Sequence, residues 1–161
     1  MAALREMMQK LKLTVNEAKT QLRILPDESV DFLGYTIGRC YSPRTGRAYL
    51  GTRPSRKAVQ RVCREMSDLT RRRWLLLEVP SRVDRINRLL LGWSNYFCLG
   101  PVSKAYRSVD RHTSRRLRQW LCAKHKVRKG GTTRFPDEYL YQELGLIRLQ
   151  ERTRSFPWAT A

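Results

Sequence analysis

The sequence has little acid. Of its 161 residues only 14 are Asp or Glu, against 33 Lys and Arg, and nowhere do two Asp stand side by side. Two-metal chemistry needs carboxylates that converge on the attacking and leaving oxygens, and acids scattered this way offer no such pair. The four cysteines, Cys40, Cys63, Cys98 and Cys122, form no C-x-x-C, and the two histidines, His112 and His125, lie near no cysteine pair. Zinc ribbons and fingers need paired ligands at short spacing, so no metal site is expected. Cys63, Cys98 and Cys122 sit among apolar residues, the usual setting of a buried free thiol, and a reduced cytoplasmic compartment of prokaryotic type suits them. The N-terminal MAALREMMQKLKL holds no long apolar run. It reads as neither a signal peptide nor a membrane span, and no membrane partner is expected. No internal repeat is visible.

What the chain has in excess is positive charge, +19 in all. A hydrophobic fraction of 41% excludes a fully disordered chain and permits a core. The charge is uneven. Residues 1–52 carry a net +3, residues 53–129 carry 21 basic and 5 acidic side chains for +16, and residues 130–161 are neutral. The middle segment repels itself unless it meets a polyanion, and nucleic acid is the first candidate because neutralised phosphates release counterions. Arg outnumbers Lys there, and its planar fork suits phosphate and stacks on bases. A membrane surface or an acidic protein fits less well. The bland alternative is a solvated basic face with no specific partner.

Periodicity gives an α+β chain, mainly α. Leu4, Met7, Met8 and Leu11 predict a helix over residues 2–12. It has no N-cap before Ala2, so the chain is expected to start inside a helix and to be a piece of something longer. Thr14 and Glu17 fit a capping box or a turn. QLRIL predicts a strand from Thr20 to Leu25, broken by Pro26. VDFLGYTIGRCYS alternates as a second strand, with Gly34 marking a bulge or a close backbone approach. SPRTG is a turn, and RAYLG is the returning strand of a hairpin. A β unit this small, residues 20–51, needs a helical face or a partner.

From Pro54 the period changes. Ala58, Val59, Val62, Cys63, Met66 and Leu69 form one face of a helix capped by Ser55, and RRRWLLLEVP ends it. Ser81 and Asp84 predict a capping box for a second helix, with Val83, Ile86, Leu90, Trp93 and Phe97 inward and a stop at Gly100 and Pro101. Tyr106, Val109, Thr113, Leu117, Trp120 and Leu121 line a third, expected to run to Gly130 and Gly131. Three helices with short connections predict a bundle. DEYLYQELGLIRL in the tail has room for one more short helix. The LLLGWSNYF stretch is expected to be core, except Asn95 and Tyr96. These two lie off the stripe and are the candidates there for direct contact with a nucleic acid.

The ordered set NEAKT, FLGYTI, a short hairpin, RPSRKAVQRV, LLLGWSNYF and SKAYRSVDRHTSRRLRQWLCAKHK resembles the C-terminal part of a group II intron reverse transcriptase/maturase, over nearly the whole chain. The resemblance implies a division into a palm remnant over residues 1–52, a thumb or maturase-specific domain over 53–129, and a neutral tail over 130–161. Lys19 resembles the family's palm lysine near the nucleotide phosphates. Phe32, Leu33 and Gly34 resemble its primer-grip strand unit. The Y-x-D-D box that holds Mg²⁺ in the full-length family is absent from this chain and would lie upstream. The chain is therefore expected to bind no cofactor and not to polymerise DNA alone. Without paired cysteines or a histidine after His125, no H-N-H nuclease activity is expected either.

The implied partners are structured group II intron RNA and an RNA template–primer duplex. Phosphate contacts are expected from Arg53, Arg56, Lys57, Arg61 and Arg64 on the first of the three helices, and from Arg115, Arg116, Arg118, Lys124 and Lys126 on the third. Alternatives are a piece that complements a separate fingers–palm chain to restore RNA-directed DNA synthesis, a degenerate remnant that no longer folds, and a generic basic RNA-binding protein of ribosomal type. The last explains the charge but not the ordered motifs.

Overall fold

The computed structural model describes residues 2–14, 16, 23–42 and 44–153. It is an α+β fold, mainly α, in which a small antiparallel sheet precedes three long helices. Helix α1 is Ala2–Lys10, strands β1 to β3 are Val30–Phe32, Tyr35–Tyr41 and Ala48–Pro54, and the long helices are α2 (Arg56–Leu69), α3 (Val79–Tyr96) and α4 (Ser103–Lys124). Two single-turn helices, α5 (Gly131–Arg134) and α6 (Leu149–Arg152), flank a π-helical turn at Tyr139–Glu143.

The sheet has the order β1-β2-β3, with Phe32 opposite Tyr35 and Tyr35 opposite Pro54. The predicted single strand over VDFLGYTIGRCYS is in fact two. Leu33 and Gly34 both have positive φ, 49° and 82°, as a two-residue type I′ hairpin turn requires. Gly34 is thus the turn residue and not a bulge. It also lies against Phe97, whose Cζ would be 3.0 Å from a Cβ placed there. The expected strand from Thr20 to Leu25 does not form in its described part. Leu25–Asp27 is a turn, and the Ile24 carbonyl accepts from the Glu28 N–H at 2.9 Å, closing the segment on itself. Residues 20–22, Glu17 and Lys19 lie outside the described residues.

Helix α2 starts where its sequence says. The Ser55 hydroxyl accepts from the Ala58 N–H at 3.1 Å, a cap worth about 1 kcal/mol. Ala58, Val62 and Met66 are its buried stripe. Helix α3 departs from the expected cap. It begins at Val79, with Glu78 as N-cap making no side-chain bond and Pro80 in the first turn, so Ser81 is already helical. Proline's fixed φ and missing N–H suit that turn, and the N-cap lies three residues upstream of the expected Ser81. Val83, Ile86, Leu90 and Phe97 are buried as predicted, and Trp93 is half-buried. Helix α4 buries its whole predicted stripe, but ends at Lys124 and not at the glycines. Lys126 takes a left-handed φ of 56°, and the Val127 N–H turns back to the Cys122 carbonyl at 2.8 Å.

The core runs through all three long helices and continues past them. Phe135, Leu140, Leu146 and Leu149 join Val62, Ile86, Leu90, Tyr106, Leu117 and Leu121 in one buried cluster. Asp110 of α4 is buried and holds that last segment, accepting from the Leu149 and Gln150 N–H groups at 3.0 and 3.1 Å. The sheet joins the bundle at the aromatic end of α3. Tyr35, Trp93, Tyr96 and Phe97 contact one another ring to ring, and Trp93 continues to Tyr106. Gly100 is required in the α3–α4 turn: its φ is 74°, and a Cβ there would overlap the Thr52 carbonyl oxygen of β3.

Candidate nucleic-acid interface

The basic residues divide into two kinds according to what their donors touch. Lys57, Arg61 and Arg64 recur at helical spacing along the outer side of α2, and with Arg56 they are exposed. Arg64 reaches only the Gln60 carbonyl at 3.4 Å, and none of the four has a carboxylate partner among the described residues. Arg53, at the end of β3, is exposed and lies 4.0 Å from the Cys40 sulfur. Arg115 and Lys126 are also exposed without an ion pair among the described residues.

Three other predicted phosphate contacts spend their donors on the protein itself. Arg116 donates from Nε to Thr70 Oγ1 at 3.1 Å and from Nη2 to the Ser67 and Thr70 carbonyls at 3.1 and 3.4 Å. It thereby places a cation on the open carbonyls at the C-terminus of α2, where the helix dipole favours positive charge. Lys124 Nζ donates to the Leu75 and Leu77 carbonyls at 2.8 and 3.0 Å. Arg118 donates to the Phe135 carbonyl at 2.7 Å and pairs with Asp137 at 2.5 Å. Together these side chains tie the α2–α3 connection and the C-terminal segment to α4.

Asn95 and Tyr96 are exposed but engaged. The Asn95 Oδ1 accepts from Arg152 at 2.8 Å, and the Tyr96 hydroxyl donates to the Leu33 carbonyl at 2.9 Å. Phe32 and Leu33 are 61% and 68% exposed beside the hairpin turn. Between that turn and α2–α3 lies a cleft of about 530 Å³, walled by Trp93, Tyr96 and Phe97 and rimmed by Lys57, Arg61, Asp31 and Glu65.

Sequence reasoning passed over other groups. Arg82 is 3% exposed, its guanidinium 5.1 Å from the Trp74 ring centroid and its pKa lowered by burial and then by Arg85. His112 joins α4 to α2 through Ser67, Nε2 to Oγ, at 3.0 Å. The Ser67 hydroxyl hydrogen goes to the Cys63 carbonyl at 3.0 Å, so Nε2 is the donor in this pair. Burial lowers the His112 pKa, and the Arg116 and Arg115 charges add to the effect. A second cleft, of about 620 Å³, brings Arg72 together with Arg128 and Lys129, more than fifty residues later in the sequence. The cysteines are free thiols, Cys40 buried and the other three half-buried, and burial pushes the Cys63 thiol up.

Among the described residues no three His, Cys, Asp or Glu side chains gather where they could hold a metal ion. Among the same residues no helix is long and apolar enough to cross a membrane.

The fold and its charged faces define a strongly basic helical module with a short sheet docked at one end. Residues 59–139 match the family model for the group II intron, maturase-specific domain. That span starts one turn into α2, takes in all of α3, α4 and α5, and reaches the first residue of the π-helical turn. The chain belongs to this family of group II intron maturase modules. A comparison with curated proteins gives no significant match.

Proposed function

We propose that this chain is an RNA-binding maturase module that grips structured group II intron RNA, in support of splicing, and an RNA template–primer duplex. It does so without a polymerase site of its own. The observation that carries this reading is the outward row Lys57, Arg61 and Arg64 on α2, exposed and free of carboxylate partners among the described residues. Arg53, Arg56, Arg115 and Lys126 extend the phosphate contacts, while Arg116, Arg118 and Lys124 hold the frame that presents them. Contacts of this kind position a protein without reading sequence, so selectivity comes from RNA shape and unpaired elements. The test is a titration of the chain with a structured intron RNA at several salt concentrations. Affinity should fall steeply with salt, and the Lys57→Ala/Arg61→Ala/Arg64→Ala variant should lower the log–log slope by roughly 2–3. A flat response in the unmodified chain would sink the reading.

A second reading has its own observation. Phe32, Leu33, Tyr41, Tyr49 and Leu50 are all exposed on the small sheet, more apolar surface than so short a sheet gains by standing in water. It suits docking onto a separate fingers–palm chain, giving RNA-directed DNA synthesis in the complex. Mixing the two chains and assaying DNA synthesis on an RNA template tests it, and no gain over the fingers–palm chain alone would reject it.

A further inference from the structure

The cleft of about 620 Å³ lies between the single 3-10 turn Arg72–Trp74, the C-terminal half of α4 and the loop that leads to α5. Among the described residues no acidic side chain lines it, whereas the cleft beside the hairpin has Asp31 and Glu65 on its rim. Two of its five cations are committed elsewhere: Arg71 pairs with Asp68 at 2.6 Å, and Arg116 caps α2. Arg72, Arg128 and Lys129 remain, exposed and with no carboxylate partner among the described residues. Below this rim the wall turns apolar, with Leu75, Ala123 and Val127 half-buried. Trp120, 2% exposed, also lines the cleft, and its indole N–H has no acceptor among the described residues. Gln119 offers an amide at the edge, its Oε1 already accepting from Arg116 at 3.3 Å, which leaves its NH₂ as the group available to a ligand.

A cationic mouth over an apolar wall with an amide at its side matches a nucleotide: phosphate outside, base inside. The volume falls within the roughly 300–1,000 Å³ of small-ligand sites. It is far too small for a duplex, so only a base already out of its stack can enter. Unpaired bases are also what sequence-selective RNA recognition reads, because their edges are free of a pairing partner, and an unpaired base costs less to draw out of a helix than a paired one. We infer that this cleft holds one unpaired nucleotide of the bound RNA, its phosphate on Arg72, Arg128 and Lys129 and its base against Leu75, Ala123 and Val127. The inference rests on the RNA-binding reading above and adds to it a pocket with shape selectivity, on residues other than the α2 row.

The test uses the full chain and two RNA hairpins that differ only by one bulged nucleotide in an otherwise paired stem. The ratio of their affinities should favour the bulged stem by roughly fivefold or more. Ala123→Trp, which fills the cleft without changing charge, should abolish that ratio. Arg128→Ala/Lys129→Ala, in an exposed loop where folding is not at stake, should reduce it. A nucleoside monophosphate added at millimolar concentration should compete for the cleft and erase the ratio, and tighter binding of the free nucleotide than of the bulged stem would overturn RNA as the source. Equal affinities in the unmodified chain, or a ratio that survives both variants, would overturn the pocket while leaving RNA binding in place. Binding to neither hairpin would overturn both readings, so the two failures are distinguishable.

Discussion

Tyr35 and Tyr96 clamp the sheet to the bundle by crossed hydrogen bonds. The Tyr35 hydroxyl donates to the Tyr96 carbonyl at 2.5 Å, and the Tyr96 hydroxyl donates to the Leu33 carbonyl at 2.9 Å, two residues before Tyr35. The Leu99 N–H also reaches the Tyr35 oxygen at 3.4 Å, so one phenol serves two backbone groups at the end of α3. Tyr96→Phe removes the second bond and leaves the ring in place. With Tyr96 53% exposed, water replaces part of the loss, and the expected cost is about 1 kcal/mol. Urea unfolding would show a lower midpoint with an unchanged slope. A variant as stable as the parent but weaker on RNA would instead make Tyr96 a contact residue.

Neighbouring arginines should behave in opposite ways. Arg116→Ala leaves the Ser67 and Thr70 carbonyls at the C-terminus of α2 without their cationic donor, and should cost about 1.5–3 kcal/mol of stability. Arg115 is exposed with no ion pair among the described residues, so Arg115→Ala should stay within about 0.5 kcal/mol while weakening RNA binding. Thermal melts beside RNA titrations of both variants separate the roles. Equal loss of stability in the two would contradict the division between frame and interface.

How far the sequence was legible follows from the range of each interaction. The inward stripes of α2, α3 and α4 were readable because an apolar face repeats within one helix, and Ser55 was readable because a cap is local. The turn at Leu33–Gly34 was half readable: glycine announced a special backbone, but only the Phe32–Tyr35 pairing makes it a hairpin. What could not be read lies between distant segments. Arg116, Arg118 and Lys124 looked like phosphate contacts because nothing nearby in sequence shows the carbonyls they meet. Phe135, Leu140, Leu146 and Leu149 follow no regular period, so their place in the core was hidden. Arg72 meets the Arg128–Lys129 pair only through the packing of the α2–α3 connection against the end of α4.

His112 gives stability a dependence on mildly acid pH. Burial holds its pKa below the ordinary 6.5, and the Arg116 and Arg115 charges act the same way. The unfolded chain therefore binds a proton at a pH where the folded chain does not, so stability rises with pH through that window. The contribution is complete above 6.5 and is lost as pH falls toward the depressed value. His112→Gln, which keeps an amide donor for Ser67, should flatten the melting-temperature profile between about pH 5 and 7. An unchanged slope would show that other groups control that range.

Asp110 has the opposite sign and lower range. Burial raises its pKa above 3.8, against the pull of the Leu149 and Gln150 N–H bonds. The folded state therefore holds a proton that the unfolded state has released, and this site's contribution to stability falls as pH climbs through the window above 3.8. Asp110→Asn cannot ionise and keeps one acceptor. The parent should lose stability relative to this variant as pH rises from about 4, and the difference should level off once Asp110 is ionised in the fold. Asp110→Ala leaves both N–H groups without an acceptor and should cost about 1–3 kcal/mol at any pH. That cost should appear first as faster amide exchange at Leu149 and Gln150, because α6 would lose the carboxylate on α4 that accepts from both N–H groups. Slow exchange there in Asp110→Ala would mean that apolar packing of Leu149 alone fixes the segment.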